Sequence, residues 1–495
     1  MKKLSKLFLL ALVMLFAFSL ASCKKKKPNN DDPGNGGGGG VSTVDPYWDK
    51  DGNGLADWTE KPITLTFATW AYTDSETVTI DYLMAQAFTQ KYPNVKVEMD
   101  IVGYDGEWKD KMLGKLENSA LPDVFLVRRL EDFLPNNMLA DLTDMYNHDA
   151  DTEYILDSVK NLGVYNGKRY VIPTYIYPTF WVVNKTLLSK YGQSIPSYDW
   201  TWEQMTQLAQ TCTNLTAGVY EYGMFGSAAF YYEYPKVVEN RTNPENEWYA
   251  CAYDGNKFQY MSDSFYTAMS DLETAWTEGW LKDSMSTEEV LEKYGINDEN
   301  WDPRYQGKVA LWREASWSLK EHLDEMKFDY DLYPAPSGVG MGNTDIAAVS
   351  ALSQNKQAAY QLLKWMSYSE EGILKRFELY QTYKDQLYMS GNNYPYPVAD
   401  YGYDKDGVNK IWSSIPYGTT APGLVSPQFV ESLRGAAIQA NKEVIGWDAA
   451  DEQFQAVLAQ IVMGETTFAD QREAVQNAAD VALKLARQAV DALLK

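Results

Sequence analysis

The sequence predicts an α/β protein whose sheets are mostly parallel and flanked by helices. Three stretches carry that prediction. Ile63 to Thr69 alternates apolar and polar residues as a half-buried strand does. Ile80 to Tyr92 then sets Leu83, Met84, Ala87 and Phe88 on one helical face, and Pro93-Asn94 stops it. Val95 to Ile101 alternates again. After a helical stretch from Trp108 to Leu116, Pro122-Asp123 leads into Val124-Phe125-Leu126-Val127, which reads as a short buried strand. Strand–helix–strand order builds parallel sheets, and their ligands sit beyond the C-terminal strand ends. Trp70, Tyr72, Arg128 and Arg129 all stand at such ends.

Ahead of this body lies a leader. Lys2, Lys3 and Lys6 form a positive start, and Phe8 to Ala21 form an apolar core of about 14 residues, shorter than a relaxed membrane span. The run ends Leu20-Ala21-Ser22-Cys23, which resembles a bacterial lipoprotein leader. Residues 1–22 are then the signal peptide, and Cys23 is the lipidated first residue of the mature chain. That predicts a protein on the extracytoplasmic face of the bacterial membrane, tied to it by acyl chains. The alternative is a plain secretory leader with an incidental cysteine. Residues 23–44 read as a disordered tether: Lys24 to Lys27, a Pro/Asn/Asp stretch, and Gly36 to Gly40 offer nothing to bury.

The ~450 residues that follow suggest two to three domains by length. Net charge is −24, and losing the three leader lysines takes it to −27. A chain this acidic lacks the basic footprint of a nucleic-acid binder. Aromatic residues are unusually abundant, with 16 Trp, 36 Tyr and 17 Phe. Tyr and Trp present a flat apolar face and a polar edge, which suits sugar rings, although most of them must fill the core. With Cys23 lipidated, Cys212 and Cys251 remain, and the sequence leaves open whether they pair. Only His148 and His322 are available, a poor basis for a histidine metal site or a Ser-His-Asp triad.

Residues 45–61 contain a calcium-like loop. Asp49, Asp51 and Asn53 take positions 1, 3 and 5 of the twelve-residue EF-hand pattern. Gly54 takes position 6, the Leu55 carbonyl position 7, Asp57 position 9 and Glu60 position 12. Alternate residues of such a loop turn their oxygens toward one hard cation. Asp45 to Trp48 reads as a turn, so no helix precedes the loop, which looks more like dockerin or thrombospondin type 3 repeats than a sensor. The bland alternative is an acidic solvated linker. No cofactor is required, and a structural calcium ion is the one cofactor this loop suggests.

The body as a whole resembles family 1 of the extracellular solute-binding proteins of ABC transporters, which includes maltose- and oligosaccharide-binding proteins. The likeness covers nearly all of residues 62 to 484. Its pieces occur in order: the opening strand Ile63 to Trp70, the step Phe88 to Val97, Leu121-Pro122-Asp123-Val124-Phe125, Asn166 to Pro173, Val183-Asn184-Lys185, Trp200 to Glu203, Gly307 to Trp317, Ala358 to Trp365, and Gly464 to Thr467. Val183 replaces a usual tyrosine, and the Trp200 element lacks its nearby proline. The resemblance implies a two-lobed type II periplasmic-binding-protein-like fold with the ligand cleft at a hinge. It places one lobe at 62–172 plus 346–398 and the other at 173–345 plus 399–495. Phe468 to Leu494 is expected as a long helix with Ala478, Val481, Ala482 and Leu485 along one stripe.

A hexose needs aromatic platforms and in-plane polar groups. The expected ligand residues are Trp70, Tyr72 and Arg128 from the first lobe and Tyr175 and Tyr177 from the crossover. Tyr231, Tyr232, Trp312, Glu314 and Trp317 come from the second, with Phe230 and Arg313 beside them. By resemblance, Trp317 takes the place of a sugar-stacking tryptophan. Tyr231 and Tyr232 alternate, so if extended only one faces the cleft. The loop Ile411-Trp412-Ser413 offers a further aromatic wall. The resemblance implies a carbohydrate receptor, expected as a monomer, that delivers its ligand to a permease and performs no catalysis. Two alternatives stand beside it. A secreted glycoside-active enzyme would need a facing carboxylate pair, which no motif marks. A calcium-dependent adhesin would rest on residues 49–60 alone.

Overall fold

The structure is a computed structural model and describes residues 44–317, 325–389, 395–401 and 422–494. Cys23 with its leader and tether, His322, and Ile411 to Ser413 lie outside these residues. The fold is mixed α/β.

Thirteen strands are defined among the described residues: β1 (Ile63–Ala68), β2 (Val95–Met99), β3 (Val124–Val127), β4 (Val164–Tyr165), β5 (Lys168–Arg169), β6 (Ile172–Asn184), β7 (Tyr222–Phe225), β8 (Leu281–Lys282), β9 (Val309–Ala315), β10 (Tyr330–Tyr333), β11 (Met341–Val349), β12 (Tyr396–Pro397) and β13 (Ala437–Gln439). β4 and β5 form a separate hairpin. The others make one sheet in the order β2-β1-β3-β11-β6-β9-β7-β8, with β10 and β12 added on β6 and β13 on β11. β1 runs parallel to β2 and β3, and β7 runs parallel to β8 and β9.

The long strand β6 is shared between the two halves of this sheet. Its first half, to Pro178, pairs with β11, and its second half, from Thr179, pairs with β9. β11 is the second crossing strand: Met341 to Asn343 pair with β13, while Ile346 to Val349 pair with β3.

Helices cover both faces because the apolar spacing demands it. In the helix Ile80–Lys91, Met84, Ala87 and Phe88 are buried, as their spacing predicts, and Leu83 is half-buried. The helix Trp202–Thr211 starts with a reciprocal cap, Thr201 accepting from Gln204 N–H while the Gln204 side chain accepts from Thr201 N–H. It approaches β7 so closely that a Cβ on Gly223 would sit 1.8 Å from the Ala209 carbonyl oxygen, so only glycine fits there.

Most aromatic residues fill the interior. Trp181 meets Trp200 and Trp202 edge-on, and Tyr260, Phe265, Phe454 and Phe468 form one continuous cluster. One expectation needs correction. The C-terminal helix Phe468–Leu493 exists, but it buries Val475, Ala479, Leu483 and Val490 and leaves Val481 and Leu485 exposed. Phe468, at the start of the helix, packs against Phe265 and Phe454 on the side of the buried stripe. Cys212 and Cys251, whose pairing the sequence left open, are both buried and free.

Candidate functional site

The largest concentration of expected ligand residues lines a cavity of about 380 Å³ at the C-terminal ends of β1 and β3. β1 ends at Ala68. The Thr69 hydroxyl then accepts the Ala71 N–H at 3.0 Å and donates to Asp81 Oδ2 at 3.0 Å, fixing the turn that carries Trp70. Trp70 is half-buried, edge-on to Trp108 at 5.5 Å, and the Lys442 ammonium lies 5.3 Å from its ring. Asp81 occupies the first turn of a helix capped by Thr79, where the dipole favours a carboxylate.

Arg376 closes the floor. It is 3% exposed, its Nη2 lies 3.0 Å from Asp81 Oδ1, and its guanidinium lies 4.3 Å from the Tyr175 ring. Tyr380 follows one helical turn on and also lines the cavity. From the crossing strands come Thr174, Tyr175, Tyr177 and Asp345, and Lys442 Nζ holds Asp345 Oδ1 at 2.5 Å. Burial raises the Tyr175 hydroxyl to about 12, against the pull of Arg376, and raises Tyr177 well above its ordinary 10. Both tyrosines are therefore neutral hydrogen-bonding groups at physiological pH. The cavity combines one aromatic platform, three tyrosines and two internally balanced ion pairs.

Strand register decides which second-lobe residues can turn the same way. Tyr175 lies opposite Asp345, Tyr177 opposite Asn343, and Trp181 opposite Arg313. Opposed residues share a face, and faces alternate along a strand. Arg313 therefore belongs to the Tyr175/Tyr177 face, while Trp312 and Glu314 belong to the other. Arg313 Nη1 meets Glu233 Oε1 at 2.6 Å, and its guanidinium lies 5.7 Å from Tyr232. The half-buried Tyr232 hydroxyl accepts from Gln439 Nε2 at 3.4 Å.

Several of the expected ligand residues lie away from this cavity. Trp312 is wholly buried, edge-on to Tyr305 and Phe328. Glu314, on that same side, is buried and accepts the Tyr305 hydroxyl at 3.0 Å. Tyr72 is buried against Tyr82, with ring centroids 5.9 Å apart, and is not among the residues of the Trp70 cavity. Phe230, Tyr231 and Tyr232 are helical rather than extended. Phe230 packs on Trp202, and Tyr231 packs on Phe454.

Trp317 stands 44% exposed, two residues beyond β9. Arg128 is half-buried beside Arg129, which pairs with Asp448 at the start of the helix Trp447–Val462. Trp70, Tyr175 and Tyr177 meet in one cavity, whereas Trp317, Arg128 and Tyr232 lie outside its lining. Sequence reasoning missed Asp81, Asp345, Arg376, Tyr380 and Lys442.

In the acidic loop three of the expected ligands, Asp49, Asp51 and Asp57, come together. Gly52 and Gly54 take positive φ of 71° and 88°, which lets the chain reverse twice. One oxygen each from Asp49, Asp51 and Asp57 comes within 4.8 Å of the others. Gly54 N–H donates to Asp49 Oδ2 at 2.8 Å, and the Asn53 amide donates to both Asp51 and Glu60. The all-oxygen donor set suits a hard cation, and these residues fit calcium. Both flanks are anchored in the core: Trp48 stacks on Tyr360, Trp58 on Phe88, and the Asn94 amide donates to the Trp58 carbonyl at 3.1 Å.

Residues 71–372 match the family model of bacterial extracellular solute-binding proteins. The chain belongs to this family. Solved structures with the same fold include an ABC substrate-binding protein from Listeria monocytogenes in complex with cycloalternan, 18% identical. The match covers 88% of this chain and 99% of that one, with a TM-score of 0.52. The cyclic alpha-maltosyl-1,6-maltose binding protein from Arthrobacter globiformis is 17% identical over 86% of this chain and all of its own, with a TM-score of 0.61. The sugar-binding protein MalE from Xanthomonas citri is 14% identical over 86% and 99%, also with a TM-score of 0.61. The family fold is two-lobed. Among the described residues no helix is long and apolar enough to cross a membrane.

Proposed function

We propose that this chain is the carbohydrate receptor of an ABC importer. On this reading it is anchored through Cys23 to the extracytoplasmic membrane face and closes its lobes, 62–172 plus 346–398 and 173–345 plus 399–495, over an oligosaccharide that it hands to a permease. The observation that carries the reading is the Trp70 cavity. An indole at its wall offers a stacking face, and Thr69, Tyr175, Tyr177, Asp81, Asp345 and Arg376 offer in-plane donors and acceptors. Both carboxylates are matched by cations, Asp81 by Arg376 and Asp345 by Lys442, which suits a neutral polyol. It also leaves this pair serving structure rather than glycoside cleavage. Trp317, Arg128 and Tyr232 would complete the site from across the cleft as the lobes close.

A thermal-shift panel tests this. An oligosaccharide present at about a hundred times its Kd should add about 2.7 kcal/mol of stability. Trp70→Ala and Trp317→Ala should each weaken that ligand at least about tenfold, on the scale of a lost aromatic contact. Their melting temperatures should change little. Stabilisation by peptides or polyamines and by no sugar would refute the carbohydrate reading.

The loop Asp49–Glu60 is proposed to hold structural calcium, with Asp49, Asp51, Asn53, the Leu55 carbonyl, Asp57 and Glu60 as ligands. Its buried flanks, Trp48 and Trp58, support a stiffening role. Calcium should raise the melting temperature and leave sugar affinity unchanged, and Asp51→Ala should remove the thermal effect. A calcium-dependent sugar affinity would favour the adhesin reading instead.

A further inference from the structure

A second cavity, of about 250 Å³, lies between the helix Asp157–Lys160, the helix Tyr234–Asn240 and Arg434 to Ala436 just before β13. It shares no lining residue with the Trp70 cavity. Its wall carries donors that the protein leaves unsatisfied. Lys236 is 8% exposed, and its ammonium makes one hydrogen bond, 3.3 Å to the neutral Ala436 carbonyl. Among the described residues no carboxylate stands within ion-pair distance of it. The Ser158 hydroxyl and Arg434 Nε are also buried without partners among the described residues. The other Arg434 nitrogens are occupied, by Asp400 at 2.9 Å and Glu431 at 2.8 Å.

Buried charges in proteins are ordinarily paired, because desolvation is otherwise uncompensated. A cation, a hydroxyl and a guanidinium N–H around one cavity therefore specify an anionic acceptor. The remaining wall specifies its size and character. The buried Trp248 and the half-buried Tyr249 give it an aromatic side. Exposed Asp157 and Glu247 at the rim disfavour a multiply charged anion.

We propose that this cavity binds a small organic monocarboxylate. Its oxygens accept from Lys236 Nζ, Ser158 Oγ and Arg434 Nε, and its apolar part lies against Trp248 and Tyr249. Burial lowers the Lys236 ammonium to about 8, against the opposite pull of Glu247. The charged groups facing it are Glu247, Asp157 and Arg434, with Tyr249 beside them, whose hydroxyl burial raises to about 12. The anion needs the protonated amine, so affinity is highest below pH 8 and falls as the pH rises above it.

Calorimetric titration of the mature protein with benzoate, acetate and inorganic phosphate tests the site. Benzoate should bind saturably and more tightly than acetate, with phosphate weakest. Lys236→Met should weaken benzoate at least about tenfold, as loss of a charge-assisted hydrogen bond does, and leave any sugar-induced thermal shift in place. Raising the pH from 7 to 9 should weaken benzoate in the wild type. Ser158→Ala, a milder change, should cost several-fold if Lys236→Met does not fold. Unchanged benzoate affinity in the folded variant, tighter phosphate binding, or no saturable heat from benzoate would overturn the proposal.

Discussion

Replacing Arg376 with methionine is expected to abolish ligand binding and lower the unfolding free energy by about 3–5 kcal/mol, the usual cost of breaking a buried ion pair from one side. Arg376 and Asp81 are both largely enclosed, with side chains 4% and 17% exposed, and they meet at 3.0 Å. Removing the guanidinium leaves the Asp81 carboxylate facing an apolar floor, with the Thr69 hydroxyl as its one described side-chain donor. The Tyr175 ring also loses the cation 4.3 Å from its face. The double variant Arg376→Met, Asp81→Asn removes both charges together and should recover most of the stability, yet it should not recover binding. Urea denaturation at pH 7 gives the first quantity, and ligand-induced thermal shift gives the second. A loss below about 1 kcal/mol, the range of exposed pairs, would mean that the pair contributes little to the fold. Retained ligand binding would mean that the Trp70 cavity is not the site.

The architecture was legible because it rests on local periodicity. β1, the helix Ile80–Lys91, β2, the helix Trp108–Glu117 and β3 follow the alternation and helical spacing of their own residues. The same locality limits what sequence says about the site. Trp70 could be named because it follows a strand that periodicity defines, while Tyr175 and Tyr177 could be named from the crossover that the family resemblance implies. Arg376 and Tyr380 could not. Nearly 300 residues separate Asp81 from Arg376 in the chain, and only the packing of the helix Glu370–Met389 joins them. β9 shows a subtler limit. Its sequence marks a strand rich in Trp, Arg and Glu but not which face turns inward, and a shift of one residue exchanges Arg313 for Trp312 and Glu314. Pairing with β6 supplies that choice. The C-terminal helix shows it again, because two apolar stripes of similar size run along it and only its packing, with Phe468 against Phe265, shows which one is buried.

Glu443→Gln is expected to stabilise the protein by about 3 kcal/mol at pH 8 and by almost nothing at pH 4. Glu443 follows β13, is 3% exposed and accepts the Thr344 hydroxyl on the crossing strand β11. Its second carboxylate oxygen has no partner among the described residues. Burial raises its pKa from the ordinary 4.5 to about 7, opposed by the Thr344 hydrogen bond and by the neighbouring Lys442, which is itself engaged with Asp345. Between about 4.5 and 7 the native state keeps a proton that the unfolded chain has released. Stability therefore falls as pH rises through that window. The contribution is fully present below 4.5 and fully lost above 7, where a bare carboxylate must stay buried. A difference of this size corresponds to about 3 kcal/mol. Glutamine keeps the shape and the acceptor for Thr344 and carries no charge at any pH, so the variant should escape that loss. Asp451, raised to about 6 by burial, contributes a slope of the same sign. The variant should therefore flatten the pH dependence of the unfolding free energy without abolishing it. Chemical denaturation from pH 4 to 8 reads this directly. Parallel curves for the two proteins would show that Glu443 is ionised in the native state throughout, with its unpartnered oxygen reached by water.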